Sequence, residues 1–199
     1  MAGLVAGICL AYAGGTLAAA KVGEAAPDFA LRDAGGKPVT LSALKGRTVV
    51  LEWTNHQCPF VGKHYNSGNM QKLQNEATAQ GVVWLTLVSS APGEEGHVSA
   101  QKGAAIYGKW SAGFSHMLLD PEGKVGRAYG ARVTPHMYVV APDGKLAYVG
   151  AIDDRPTTRQ SDIAGARNHV RAALAEVAAG RPVSQPATQA YGCTVKYKS

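Results

Sequence analysis

The chain has 199 residues, of which 46% are hydrophobic, 17% charged and 7% aromatic, a mix that excludes wholesale disorder. No Gly-X-Y period, sustained heptad or internal repeat is present, so collagen, coiled coil and solenoid are excluded as well. The formal net charge is +6, and half of it comes from Arg181, Lys196 and Lys198 in a terminal stretch without acids; elsewhere the signs are mixed, and no basic stripe marks a nucleic-acid partner.

Residues 1–20 contain no Asp, Glu, Lys or Arg, run apolar from Leu4 to Leu17, and close on Ala18-Ala19-Ala20. This pattern predicts a signal peptide removed after Ala20 and an exported, periplasmic mature protein. The alternative is an uncleaved anchor. However, Gly14-Gly15 interrupts the run, which falls short of the ~20 apolar residues that span a bilayer, so no stable membrane insertion is expected after cleavage. Cleavage removes Cys9 and leaves Cys58 and Cys193 in a compartment where disulfides persist. The mature chain then reads as one domain, 21–180, followed by a basic tail, 181–199, that carries Cys193.

In chain order, Asp28–Arg32 and Lys37–Leu41 flank a Gly turn and predict an N-terminal β-hairpin. Thr48–Trp53 is a nearly continuous β-branched and aromatic run, as expected of a strand covered on both faces. A polar turn, Thr54–Gln57, leads to Cys58 and Pro59, with Pro suited to the first turn of a helix. Asn66–Asn69 should break that helix before Met70–Ala79 resumes it. Val82–Val88 predicts a second buried strand, Val98–Tyr107 a helix, and Met117–Leu119 a strand. The turn Asp120–Gly123 follows, and Ala141–Gly144 joins His136–Val140 to Leu146–Gly150 as an antiparallel hairpin. Ile163, Ala166, Val170, Leu174 and Val177 share one face at helical spacing, and Gly180 and Pro182 stop that last helix. Strands alternating with helices predict an α/β fold, a mixed central sheet with helices on both faces.

The chemistry lies in Glu52-Trp53-Thr54-Asn55-His56-Gln57-Cys58-Pro59-Phe60-Val61. A cysteine where a strand ends and a helix begins meets backbone N–H groups and the positive end of the helix dipole, which favour the thiolate. A protonated His56 would add to that, and Glu52 could lie beneath the cysteine as a proton acceptor. Blander readings stand beside these. Cys58 could be a small core residue, Glu52 a salt-bridged strand residue, and Cys193 a staple or an unpaired tail thiol. His56, His64 and His136 read individually as polar surface or hydrogen-bonding groups, and Met137 as core.

The strand, Cys-Pro at a helix start, Thr134-Pro135 before a later strand, and the terminal helix together resemble the thioredoxin fold. In that superfamily the motif is Cys-x-x-Cys; here Cys58 matches the nucleophile, while Val61 stands where the resolving cysteine would be. The resemblance also implies that Glu52 is the buried acid and Pro135 a cis-proline beside the active site. Ala26-Pro27-Asp28-Phe29 and the hairpin start resemble the peroxiredoxin-like branch, the redoxins of the alkyl hydroperoxide reductase and thiol-specific antioxidant type. In true peroxiredoxins a Thr precedes the peroxidatic cysteine by three residues; Asn55 stands there, and Leu51 stands where a Pro is expected. Peroxidase activity is therefore not inherited.

The function expected is thiol–disulfide oxidoreduction: Cys58 attacks a disulfide, and Cys193 or an external thiol resolves the mixed disulfide. The partners expected are protein or small-molecule thiols and disulfides, with an external thiol as possible reductant. No cofactor and no metal are called for. A thiol peroxidase that passes through a sulfenic acid is one alternative. A disulfide-stapled or metal-binding module without chemistry is the other. The supporting residues expected at the site are His56, Pro59, Asn55 and Thr134. The tail is expected to fold back far enough for Cys193 to reach Cys58, which requires Cα atoms within about 7 Å.

Overall fold

The computed structural model describes residues 19–199, so the expected signal segment lies outside the described residues except for Ala19 and Ala20. Strands β1 (Ala30–Arg32) and β2 (Pro38–Thr40) form the N-terminal hairpin. Its turn is closed by Asp33, whose Oδ1 accepts from the Gly35 and Lys37 amides at 2.9 and 2.8 Å. Then follow β3 (Val49–Trp53), α1 (Pro59–Asn66), α2 (Asn69–Ala79), β4 (Val83–Val88), α3 (Ala100–Lys109) and β5 (His116–Leu119). The chain continues through α4 (Lys124–Tyr129), β6 (Val133–Thr134), β7 (His136–Val140), β8 (Leu146–Gly150), α5 (His169–Ala178) and β9 (Cys193–Thr194).

Five strands form the central sheet in the order β5-β4-β3-β7-β8. The β3–β4 and β4–β5 pairs are parallel, and β3–β7 and β7–β8 are antiparallel, so the sheet is mixed, as expected. Every residue of β3, β4 and β7 is buried, which explains why those strands read as continuous apolar runs rather than alternations. Their faces still alternate. Val50, Trp84, Val88 and Val139 pack with α1, α2 and α5 on one side, while Val49, Leu51, Leu85 and Leu87 pack with the hairpin and α4 on the other.

Three expectations need correction. The last helix does not span Ile163 to Val177; it begins at His169. Asn168 caps it, its Oδ1 accepting from the Arg171 amide at 2.8 Å, and a cap residue is by nature outside the helix. Ile163 belongs instead to a short 3₁₀ segment, Gln160–Gly165, and both it and Ala166 are only half-buried. Helix α3 starts two residues later than expected because Ser99 caps it, with Oγ accepting from the Lys102 amide. Helix α4 was not expected at all, since it has six residues with Gly126 among them.

The tail is not helical, in line with expectation, and it is bound to the domain along its length. The Thr188 amide donates to Val149 O, and Thr188 Oγ1 accepts from the Ala151 amide. Cys193 and Thr194 form an antiparallel bridge with Thr134 and Val133. The Val195 amide donates to Arg132 O, Lys196 O accepts from the Ala91 amide, and Tyr197 Oη donates to Ala131 O at 2.6 Å. Gly126 is required by this packing, because a Cβ there would collide with the Tyr197 ring and hydroxyl.

Candidate active site

Cys58 lies where the sequence places it, at the junction of β3 and α1. Its amide donates to Asn55 O at 3.1 Å, and its carbonyl accepts from the Gly62 amide at 2.9 Å as the first bond of the helix. Pro59 occupies the first helical turn, where its missing N–H costs nothing. The Cys58 side chain makes no capping bond, and the residue is 1% exposed.

The sulfur of Cys58 is joined to that of Cys193 in a disulfide, with Cα atoms 5.9 Å apart across 135 residues of sequence. The tail therefore brings its cysteine to the helix start, within the distance a bond demands. The Thr134–Pro135 peptide is cis. Thr134 O lies 3.1 Å from Cys58 Sγ, and Thr134 Oγ1 donates to Cys193 O at 3.4 Å. Thus Cys58, Cys193, Thr134 and Pro135 meet at one place.

Two influences oppose each other at this sulfur once it is reduced, the helix start on one side and burial with Thr134 O on the other. A helix N-terminus contributes about 0.3–1 kcal/mol to a nearby negative charge. In the disulfide this sulfur carries no proton; once the pair is reduced, a buried thiolate 3.1 Å from Thr134 O would be repelled by that carbonyl. His56 does not help. Its imidazole is held below the usual value, first by burial and then by the Lys102 charge, against an opposing pull from Glu95. It is therefore neutral at pH 7, and its Nδ1 is buried without a partner among the described residues.

Glu52 is buried on β3, but Cys58 is not among its hydrogen-bond partners. Its carboxylate accepts from Trp84 Nε1 (2.8 Å), Tyr65 Oη (2.9 Å), Gln74 Nε2 (3.1 Å) and Thr86 Oγ1 (3.1 Å). Burial raises its pKa, and the four donors pull it back down. The group ties α1, α2 and β4 together beneath the sheet. Asn55 is also spoken for: its Oδ1 accepts from the Gln57 amide at 2.8 Å and its Nδ2 donates to Glu95 at 3.2 Å.

One cluster was not found from the sequence. Lys63 on α1 is wholly buried, and its Nζ donates to Arg155 O at 2.7 Å and pairs with Asp153 Oδ2 at 3.5 Å. Tyr191 of the tail donates its hydroxyl to Asp153 Oδ1, and its ring packs edge-on against Phe60. His64 accepts from Asn69 Nδ2 on its Nδ1 at 2.8 Å, which leaves its Nε2 proton facing Tyr191 Oη at 3.4 Å. Burial drives His64 down to about 4, so it is neutral there. Two residues beyond Tyr191 stands Cys193. Lys63 and Asp153 are 90 residues apart in sequence, and no pattern links them.

Among the described residues no group of three or more His, Cys, Asp and Glu is arranged to hold a metal ion, and no helix is long and apolar enough to cross a membrane.

A family model described as Redoxin matches residues 21–167. No curated protein matches the chain. Among solved structures, a hypothetical protein from Sinorhizobium meliloti is 25% identical with a TM-score of 0.77, covering 92% of this chain and 97% of its own. An uncharacterized conserved protein from Geobacillus kaustophilus is 28% identical with a TM-score of 0.76, covering 89% and 93%. A candidate thiol:disulfide interchange protein, DsbE, from Chlorobium tepidum is 25% identical with a TM-score of 0.53, covering 66% and 85%. The thioredoxin-like fold expected from the sequence is thereby established.

Proposed function

The chain belongs to the Redoxin family, and from that premise we propose that it is an exported thiol–disulfide oxidoreductase whose redox centre is the Cys58–Cys193 pair. The observation that carries this reading is the pair itself, a disulfide at the start of α1 beside the cis Thr134–Pro135 peptide. Val61, four positions into the motif, has no sulfur, and Cys193 takes the place of the missing resolver. The pair alternates between disulfide and dithiol, exchanging two electrons with a protein or small-molecule thiol. The likeness to the DsbE-type protein supports thiol–disulfide exchange. The charge-free segment 1–20 supports export, with the mature chain beginning at Lys21.

A peroxidase reading gains no support from the site. The position that would activate a peroxide is Asn55, and its amide is committed to Gln57 and Glu95. The test is a kinetic comparison of the mature protein with Cys58→Ser and Cys193→Ser on a protein disulfide and on hydrogen peroxide. Disulfide turnover lost in either variant, with no peroxide consumption by the wild type, is the expected result. Rapid peroxide consumption dependent on Cys58 would replace this reading with the peroxidase.

A further inference from the structure

Resting on the reading that Cys58 and Cys193 form a working couple, we propose that external partners exchange with Cys193, and that Cys58 is the internal sulfur which opens and closes the pair. This reverses the order implied by the match of Cys58 to the superfamily nucleophile.

Exchange requires a path to the sulfur being attacked, opposite the bond that breaks. Cys58 offers none: it is 1% exposed, part of the core cluster with Val61 and Met137, and its sulfur lies against Thr134 O. Cys193 is half-buried on β9, between half-buried Gly192 and exposed Thr194. Uncovering Cys58 would mean lifting the tail, which is fastened on both sides of Cys193. Before it are Thr188 against β8 and Tyr191 on the Lys63–Asp153 pair. After it are Val195, Lys196 and Tyr197. The tail is thus held by several links rather than one.

The steps balance with the tail in place. In reduction of the protein, an external thiolate bonds to Cys193 Sγ and the Cys58–Cys193 bond breaks. Cys58 leaves with the electron pair at the start of α1, where the partial positive charge of the helix receives it. It then takes a proton from water, and the resulting S–H lies within hydrogen-bond reach of Thr134 O. A second external thiol, as thiolate, attacks the partner sulfur and releases the Cys193 thiolate. Two thiols are oxidised to one disulfide, and the protein disulfide is reduced to a dithiol. In the reverse direction the Cys193 thiolate attacks the partner disulfide, and Cys58 closes onto Cys193 and expels the bound half.

The test is acid-quenched reaction of the oxidised mature protein with glutathione, followed by peptide mapping. Glutathione on Cys193 with Cys58 free is the expected intermediate. Glutathione on Cys58 would overturn the proposal while leaving the couple intact. A folded protein that excess glutathione neither labels nor reduces would overturn both. Single-cysteine variants supply a second readout with glutathione disulfide: Cys58→Ser should react faster than Cys193→Ser by about tenfold or more, the advantage of access. Equal or inverted rates would contradict the proposal.

Discussion

At the scale of single residues, two buried histidines make stability depend on pH. Burial lowers both His64 and His136 to about 4, so the unfolded chain binds their protons first. The stability they allow is complete above about 6.5 and is lost as pH falls toward 4, at roughly 1.4 kcal/mol per pH unit for each. Glu52 works in the opposite sense. Its raised value favours the folded state at low pH, and that contribution is lost as pH rises through the raised value. Urea unfolding between pH 4 and 7 should therefore show a falling stability in acid, and His64→Gln with His136→Gln should flatten it. An unchanged slope in the double variant would mean that other groups carry the effect. The thiol supplies a second test at this scale. In Cys193→Ser, alkylation of Cys58 should be slow with a midpoint at or above the ~8.5 of a free cysteine, because burial and Thr134 O outweigh the helix start. A midpoint well below that value would restore the activated-thiolate view.

At the scale of elements, the short segment from Tyr191 to β9 sets where Cys193 sits. Tyr191→Phe keeps the ring on Phe60 but removes the donor to Asp153, leaving that carboxylate oxygen with only the Arg155 amide. A loss of about 1–3 kcal/mol is expected in urea unfolding. Lys63→Met should cost more, about 3–5 kcal/mol, since it leaves Asp153 charged and buried without its cation. Gly192 has φ +147, and a Cβ there would strike Thr134 O. Gly192→Ala should therefore displace β9 and leave two titratable thiols in the mature protein under air; closure of the disulfide in that variant would show the bridge to β6 to be dispensable. None of this was visible in the sequence. The junction at Cys58 was readable because strand, polar turn and Pro fall within ten residues, and local chemistry decides them. The β hairpins were readable for the same reason. Helix α4 forms against its own propensity because Val125 and Tyr129 bury and Gly126 admits Tyr197. Apolar spacing suggested too long a last helix, because the Asn168 cap outranks a face that Ile163 and Ala166 share only by coincidence. The Lys63–Asp153–Tyr191 cluster joins three distant segments, and spacing carries no signal of it.

At the scale of the whole molecule, the disulfide closes a loop of 135 residues, a constraint on the unfolded chain worth up to about 5 kcal/mol in the loop-entropy model. The tail's other fastenings do not depend on the bond, so the reduced protein is expected to stay folded with the dithiol aligned, and to unfold at a lower urea concentration than the oxidised form. That separates a redox couple from a staple: a couple needs both states to be folded. The central claim is tested most directly by equilibrating the mature protein in glutathione buffers of graded potential and counting free thiols by mass after alkylation, with circular dichroism on the same samples. Reversible passage between no free thiol and two, with the fold retained throughout, is the predicted result. A pair that stays closed until the protein unfolds would contradict it.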